Sequence, residues 1–311
     1  MVLGHITVHM WGLDGKPSLV SPESIALFWF LNGQYTQEKN VQNIDICFTN
    51  NTDLSPEQEL PVLIDESGSK VSGFVNIIES LTKDRSDDHG DKLLQSALLQ
   101  FTTTQLTSLT EYQLYLNRQN YEKFTRNAFT QLLYWPMWYN TPANYRTQAR
   151  ECSGIIQYAS HEDDPDTHEP VVQSLDPSDL AQSKAFKVTQ QQKTMDKEAL
   201  QEVKRNLVYL NKLSERLKTW IQIRERSFSE KIIPADLLMW ANIYVQLQLP
   251  DGQKISKHLS HALGTDFFDT LQKQLLACSN SDSLIPERKP NFQEQGNVVM
   301  AVYNLVRRYI K

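Results

Sequence analysis

The chain has 311 residues, a net charge of −6 and a hydrophobic content of 40%. That length accommodates two domains with a real apolar core, and the negative balance argues against nucleic acid as the main partner. The mean hydropathy is −0.47, and no apolar run approaches the roughly 20 residues that a bilayer span requires, so the chain reads as soluble or peripheral. The best apolar runs, Ile25 to Leu31 and Val298 to Ile310, are too short, and the second carries Arg307 and Arg308. Cys47, Cys152 and Cys278 are widely spaced and odd in number, with no Cys-x-x-Cys, the pattern of unpaired thiols in a reducing compartment.

In chain order, the first residues show neither a basic leader before a long apolar segment nor an Arg-rich amphipathic helix. Ile6 to Trp11 alternates apolar and polar residues and reads as a strand. Gly12-Leu13-Asp14-Gly15-Lys16-Pro17 is a turn cluster. Ser21 is placed to cap a helix with Pro22 at its first position. That helix is apolar nearly all round to about Leu31, as a buried helix is, with Gly33 as its stop. A strand at Ile44 to Phe48 is followed by a loop, a strand opened by Leu60-Pro61-Val62-Leu63-Ile64, a short strand near Val71 and a helix from Ser72. Strand, helix, strand, loop, strand, strand, helix is the thioredoxin-type order with its second helix reduced to a loop. In such folds the proline opening the third strand is cis, so Pro61 is expected to be cis and to serve as a structural element of the fold.

Thr82 to Asp91 is polar and charged, as a linker is, and beyond it strand signals nearly vanish. The expected organisation is a thioredoxin-like domain over 1–83, a linker over 84–91 and a helical domain over 92–311. Together they make a glutathione-transferase-like fold, with an α/β thioredoxin-type N-terminal domain and an all-α C-terminal domain. Helical spacing marks Leu93 to Phe101, Leu106 to Leu116, Tyr121 to Leu133 and Asn144 to Tyr158. Residues 161–179 hold seven acidic residues, no Lys or Arg, and Pro165, Pro170 and Pro177. They predict a disordered acidic insertion, running to about 160–195 with the Gln-rich stretch behind it. Long apolar spacing over Lys197 to Arg226, an apolar helix over Pro234 to Leu249, and further helices ending near Asn297 to Ile310 complete the chain.

A glutathione transferase needs a thiolate-stabilising hydroxyl or thiol after the first strand. Ser18 is the only candidate, and no basic partner accompanies it. The acidic residue that would anchor the γ-glutamyl group at the third helix is replaced by Ser72-Gly73. These departures predict no catalysis and no cofactor. His5, His9, His258 and His261 have no spacing that compels a metal site, and the i, i+3 pair His258 and His261 is the only one worth a note. Ile233-Pro234-Ala235-Asp236-Leu237 resembles the capping motif of the helical domain in that fold. Asp236 is then structural and binds backbone amides, although Ile233 replaces the capping hydroxyl. Leu132 to Pro142 holds four aromatics, a Met and two prolines (Pro136 and Pro142), which should prevent a regular helix throughout. Tyr134, Trp135, Met137, Trp138 and Tyr139 are the candidate partner interface.

Several blocks resemble the metaxin family in its fungal form, the larger peripheral subunit of the mitochondrial sorting and assembly machinery. They are Thr49-Asn50-Asn51-Thr52-Asp53-Leu54-Ser55, Leu60-Pro61-Val62-Leu63, Lys70 to Ile77, Leu133 to Pro142, Asp236-Leu237-Leu238, Leu249-Pro250-Asp251-Gly252 and Gln293 to Met300. The resemblance covers nearly the whole chain. It implies a non-enzymatic, peripheral subunit on the cytosolic face of the mitochondrial outer membrane. Its implied partners are a β-barrel assembly subunit of that membrane, a second metaxin-like subunit, β-barrel precursors, and, transiently, the general import translocase. Its implied role is to support folding, insertion and release of precursors and to couple them to the translocase. The competing readings are a glutathione-dependent transferase and a soluble glutathione-transferase-like adaptor.

Overall fold

A computed structural model describes residues 5–35, 44–82, 89–135, 137–152, 184–226, 231–280, 283–296 and 299. Most of the expected linker, the acidic insertion before residue 184, Pro136 and the helix expected over 297–310 lie outside these residues.

The first strand, β1 (Ile6–Leu13), is the axis of a sheet because it is covered on both faces: Val8 and Met10 are buried on one and His9 and Trp11 on the other. It pairs through a tight turn with β2 (Lys16–Pro17). Asp14 and Gly15 both take positive φ there (50° and 77°), the geometry that matches hairpin twist. On one side β1 runs parallel to β3 (Ile44–Thr49), and on the other antiparallel to β4 (Val62–Asp65), which pairs with β5 (Lys70–Ser72). The order is β5-β4-β1-β3-β6, where β6 (Glu287–Arg288) comes from the far end of the chain and lies parallel to β3. The sheet therefore draws its outer strand from the helical part.

Helix α1 (Pro22–Phe30) begins as expected. Ser21 accepts from the Ser24 amide at 3.2 Å, and Pro22 occupies the first turn. Gly33 does not end it. A π-wound turn, Leu31–Tyr35, carries the coil onward. Between β3 and β4 only a 3-10 turn, Thr52–Leu54, capped by Asn51, stands where the second helix of the fold would be. The Leu60–Pro61 bond is cis. Helix α2 (Phe74–Thr82) follows β5 after Gly73, whose φ of +80° turns the chain from strand to helix.

The remaining described residues are mainly helical. Residues 89–116 form one continuous helix, α3, opening with His89–Phe101 and passing through π-wound turns at Thr102–Thr107 and Tyr112–Leu116. Residues 118–132 form α4, with a π-wound turn at Tyr121–Thr125. Then come α5 (Met137–Cys152), α6 (Lys184–Arg224), α7 (Pro234–Gln248), α8 (Gly252–Leu263) and α9 (Thr265–Ser279). Helix α6 starts earlier than apolar spacing suggests, because Lys, Gln and Met are good helix formers whether or not they face a core. The proline-flanked segment is not a regular helix throughout, as expected: α4 ends at Leu132, residues 133–135 leave the helix, and α5 then begins earlier than the Asn144 that helical spacing suggests. Helix α5 starts at Met137 and passes through Pro142, which lies two turns in with its ring buried. A proline so near a helix start removes one hydrogen bond, to the Trp138 carbonyl, and leaves the rest of the helix intact.

The two layers share one core. α1 packs along α7, with Trp29 and Tyr244 edge to face at 5.5 Å. A buried polar seam runs through the helical layer. Gln246 Nε2 donates to Thr110 Oγ1 at 2.7 Å, and Thr110 donates to Asn242 Oδ1 at 2.7 Å. Trp220 donates to Thr102 at 2.9 Å, and Asn117 to Asp251 at 2.9 Å. Such groups are costly to bury unless they are satisfied, so the seam fixes how α3, α6 and α7 register against one another. The overall architecture is the glutathione-transferase-like one, a mixed α/β sheet half followed by a helical half.

Candidate functional site

In a glutathione-transferase-like fold the ligand cleft lies where the ends of β1 and β4 and the start of α2 meet the helical layer. In this chain its own side chains fill that place. The α2 N-terminus, with its outward amides and partial positive charge, is an anion site. Glu23 of α1 occupies it: the Glu23 carboxylate accepts from the Phe74 amide at 3.2 Å. Ser72, at the position where the family's charged anchor is missing, is buried and bonded to the Ser55 hydroxyl at 2.8 Å. Ser18 accepts from the Val20 amide at 3.4 Å within its own turn. The hydroxyl that reaches β1 is that of Ser24, which accepts from the Trp11 amide at 3.2 Å. Pro61 presents its carbonyl to the Gly73 amide at 2.9 Å.

Electrostatics point the same way. Burial pushes the Glu23 carboxyl up to about 7, with Glu59 and Glu57 adding to the rise and the Phe74 amide opposing it. Glu111 of α3 is also pushed up to about 7 by burial, reinforced by Glu23 and Glu59. Buried aromatic rings pack where β1 meets the helical layer. Trp11 meets Phe129 edge to face at 6.1 Å, and Tyr115 stacks on Tyr145 at 5.5 Å. Burial raises the Tyr115 and Tyr145 hydroxyls well above their ordinary value, so neither ring offers an anion to a reaction.

The aromatic corner of the sequence divides by exposure. Trp135 is 72% exposed and Tyr139 62%. Met137 and Trp138 pack against the core, and Trp138 meets Tyr139 edge to face at 6.3 Å. Tyr134 is half-buried. The corner is anchored from behind. Asn50 donates to the Leu132 carbonyl at 2.6 Å and accepts from the Gly296 amide at 2.8 Å, joining the end of β3, the end of α4 and the late segment.

Asp236 behaves as a capping residue. Its carboxylate accepts from the Ile233 amide at 2.9 Å. It also holds Arg224 in two-pronged fashion, through Nε at 2.9 Å and Nη2 at 3.1 Å, which clamps the end of α6 to the start of α7. Arg224 escaped sequence reasoning because it reads as one more basic residue on a long helix. So did a second clasp, where Arg288 of β6 is bidentate to Glu294 at 2.7 Å on each side. That pairing holds the Glu294 carboxyl low. Thr49 donates to the Glu294 carbonyl at 2.6 Å, so the clasp is fastened to β3. His9, buried beside it, is pushed down to about 4 by desolvation; Glu294 acts against the shift, while Arg288 and Lys70 add to it. The Cys47 thiol, next to His9 in register, is pushed up to about 11 by burial. A neutral imidazole and a buried protonated thiol make a structural core position, not an activated nucleophile.

Among the described residues no three His, Cys, Asp or Glu side chains converge as metal ligands, and no helix is long and apolar enough to cross a membrane. Two family models match the chain. One, described as an outer mitochondrial membrane transport complex protein, matches residues 24–146, and the other, the Tom37 C-terminal domain, matches residues 161–309. No curated protein matches the chain.

Proposed function

The chain belongs to the Tom37 family of outer mitochondrial membrane transport complex proteins, and on that premise we propose that it is a non-enzymatic scaffold of the sorting and assembly machinery. In this reading it sits on the cytosolic face of the outer membrane and binds a β-barrel assembly subunit and a second metaxin-like subunit. It supports folding, insertion and release of β-barrel precursors and hands them over from the general import translocase. The thioredoxin-like half spans 1–83 and the helical half 92–311, with the 84–91 linker between them and the late strand β6 latching one to the other.

The observation that carries the non-enzymatic part is Glu23 at the α2 N-terminus. The anion site that a ligand carboxylate would use holds a carboxylate from the chain itself. A tripeptide anion placed beside Glu23 and Glu111, both already pushed up to about 7, would meet like charge there. Trp135 and Tyr139 supply the partner contact, while Met137 and Trp138 hold them in place and Tyr134 lies between the two sets. Exposed aromatic side chains, here in the turn before α5 and in its first turn, are the kind that dominate interface energetics.

The test is native affinity purification of the tagged chain from gently solubilised mitochondria, with calorimetric titration of glutathione in parallel. Stoichiometric recovery of a β-barrel membrane protein and a second metaxin-like subunit, with no glutathione heat, is expected. Recovery of the chain alone or as a homodimer would sink the scaffold reading, and saturable glutathione binding would revive the transferase.

A further inference from the structure

Helix α6 has an apolar row that leaves the core. Tyr209, Leu213, Leu217 and Trp220 are buried against the helical layer. Leu200, Val203 and Leu207 are 71%, 55% and 57% exposed. Their spacing of three and then four residues places them on one stripe. Leu210, next in that row, is partly buried and packs against the core. The row thus begins in the bundle and continues outward along the helix, its last three aliphatic side chains left to solvent.

The flank of the row is basic. Lys197, Lys204 and Lys218 recur at whole-heptad intervals, and Lys204 and Lys218 are exposed. By helical position Lys197, Lys204 and Lys218 fall on the row's side of α6 together with Asp196 and Glu215, while Arg205, Lys212 and Arg216 fall on the far side with Glu198 and Glu202, so the row's side carries a small positive excess in a chain whose net charge is −6. We propose that the projecting stripe Leu200–Val203–Leu207 docks an amphipathic helix of a partner protein. That helix carries aliphatic residues at its own seam positions and carboxylates beside them. A stripe only one residue wide at alternating intervals of three and four is a coiled-coil seam. A membrane-surface helix buries a broader face and carries aromatic residues on it. A second copy of this chain is disfavoured because lysine rows would meet lysine rows. The proposal requires a helical partner but not a particular complex, so it stands or falls separately from the assignment to the sorting and assembly machinery.

The experiment uses the full chain and a labelled helical peptide of repeated heptads, with Leu at seam positions and Glu beside them. A second peptide has Lys in place of Glu. Anisotropy should show saturable binding of the acidic peptide, weakened by salt. The Leu200→Gln/Val203→Gln/Leu207→Gln variant should lose at least about tenfold in affinity, through the loss of three aliphatic contacts, with an unchanged thermal melt. Lys204→Glu/Lys218→Glu should shift preference toward the basic peptide. No binding of the acidic peptide, equal binding of both peptides, or an unaffected triple variant would overturn the proposal. So would flotation with anionic phospholipid vesicles, or concentration-dependent dimerisation, that the triple variant abolishes.

Discussion

Glu23→Gln isolates the residue that fills the cleft. Gln is nearly the same shape and can still accept from the Phe74 amide, so the substitution removes charge with little change in packing. In the folded chain the Glu23 carboxyl is raised from its ordinary 4.5 to about 7. Between those values the folded state binds more protons than the unfolded one, so this group costs stability as pH rises through the window, and the whole cost is present above pH 7. The full shift corresponds to about 3 kcal/mol, and residual exposure of a half-buried side chain trims it to roughly 1–2 kcal/mol by solvent screening. Glu23→Gln should therefore stabilise the protein by roughly 1–2 kcal/mol at pH 8 and by almost nothing at pH 4.5. Urea denaturation of both proteins at several pH values measures the difference directly. A difference that stays flat with pH, or a variant less stable than the parent at pH 8, would refute the burial of an ionisable carboxyl at this site. His9 gives an opposite trend common to both proteins. Its value falls from 6.5 to about 4, so its contribution is complete above pH 6.5 and is lost as pH drops toward 4.

Three further outcomes follow from the side-chain geometry. Arg224→Met and Asp236→Ala should each destabilise by about 2–3 kcal/mol, because each strands a mostly buried charged partner. The double variant should cost far less than the sum, and additive denaturation energies would show that the clamp is not one unit. A thiol-disulfide reagent at neutral pH should label exposed Cys152 first, Cys278 more slowly, and Cys47 only on unfolding, since Cys47 is fully buried with its thiol pushed up to about 11; rapid labelling of Cys47 in the folded chain would contradict the register around His9. Trp138→Ala should lower unfolding free energy by about 2 kcal/mol from lost packing. Trp135→Ala should change it by less than about 0.5 kcal/mol while reducing recovery of partners in affinity purification, and equal loss of folding and assembly in both variants would place the whole corner in the core.

Local rules carried a good part of the fold. The alternation of Ile6 to Trp11, the Ser21–Pro22 helix start, the proline-led strand at Leu60-Pro61 and the apolar spacing of α6 and α7 are all written in neighbouring residues, and each forms the element expected of it. Local rules failed where a neighbour's effect was overridden. Gly33 permits a stop but does not enforce one, and the coil goes on in a π-wound turn. Pro142 forbids one hydrogen bond, which α5 forgoes near its start. The strand β6 has no local signature, since two residues cannot display a period.

The sites were legible in proportion to how local they are. Asp236 was readable because a capping carboxylate acts on an amide three residues away. The absence of a charged anchor at Ser72-Gly73 was readable too, but not its replacement, because Glu23 reaches Phe74 across fifty-one positions of chain. The split of the aromatic corner into exposed Trp135 and Tyr139 and packed Met137 and Trp138 depends on how the turn before α5 and the first turn of α5 lie against the rest of the helical layer. The raised carboxyls of Glu23 and Glu111 exist only because two elements far apart in sequence are pressed together with little water between them. The sequence by itself determined periodicity, caps, charge balance and family likeness, all of which are properties of adjacent residues or of their sum. Only the tertiary structure decided that Glu23 takes the amide end of α2, that the sheet gains its own late strand at one edge and that one stripe of α6 is left bare, because burial and electrostatic field depend on what lies nearby in space.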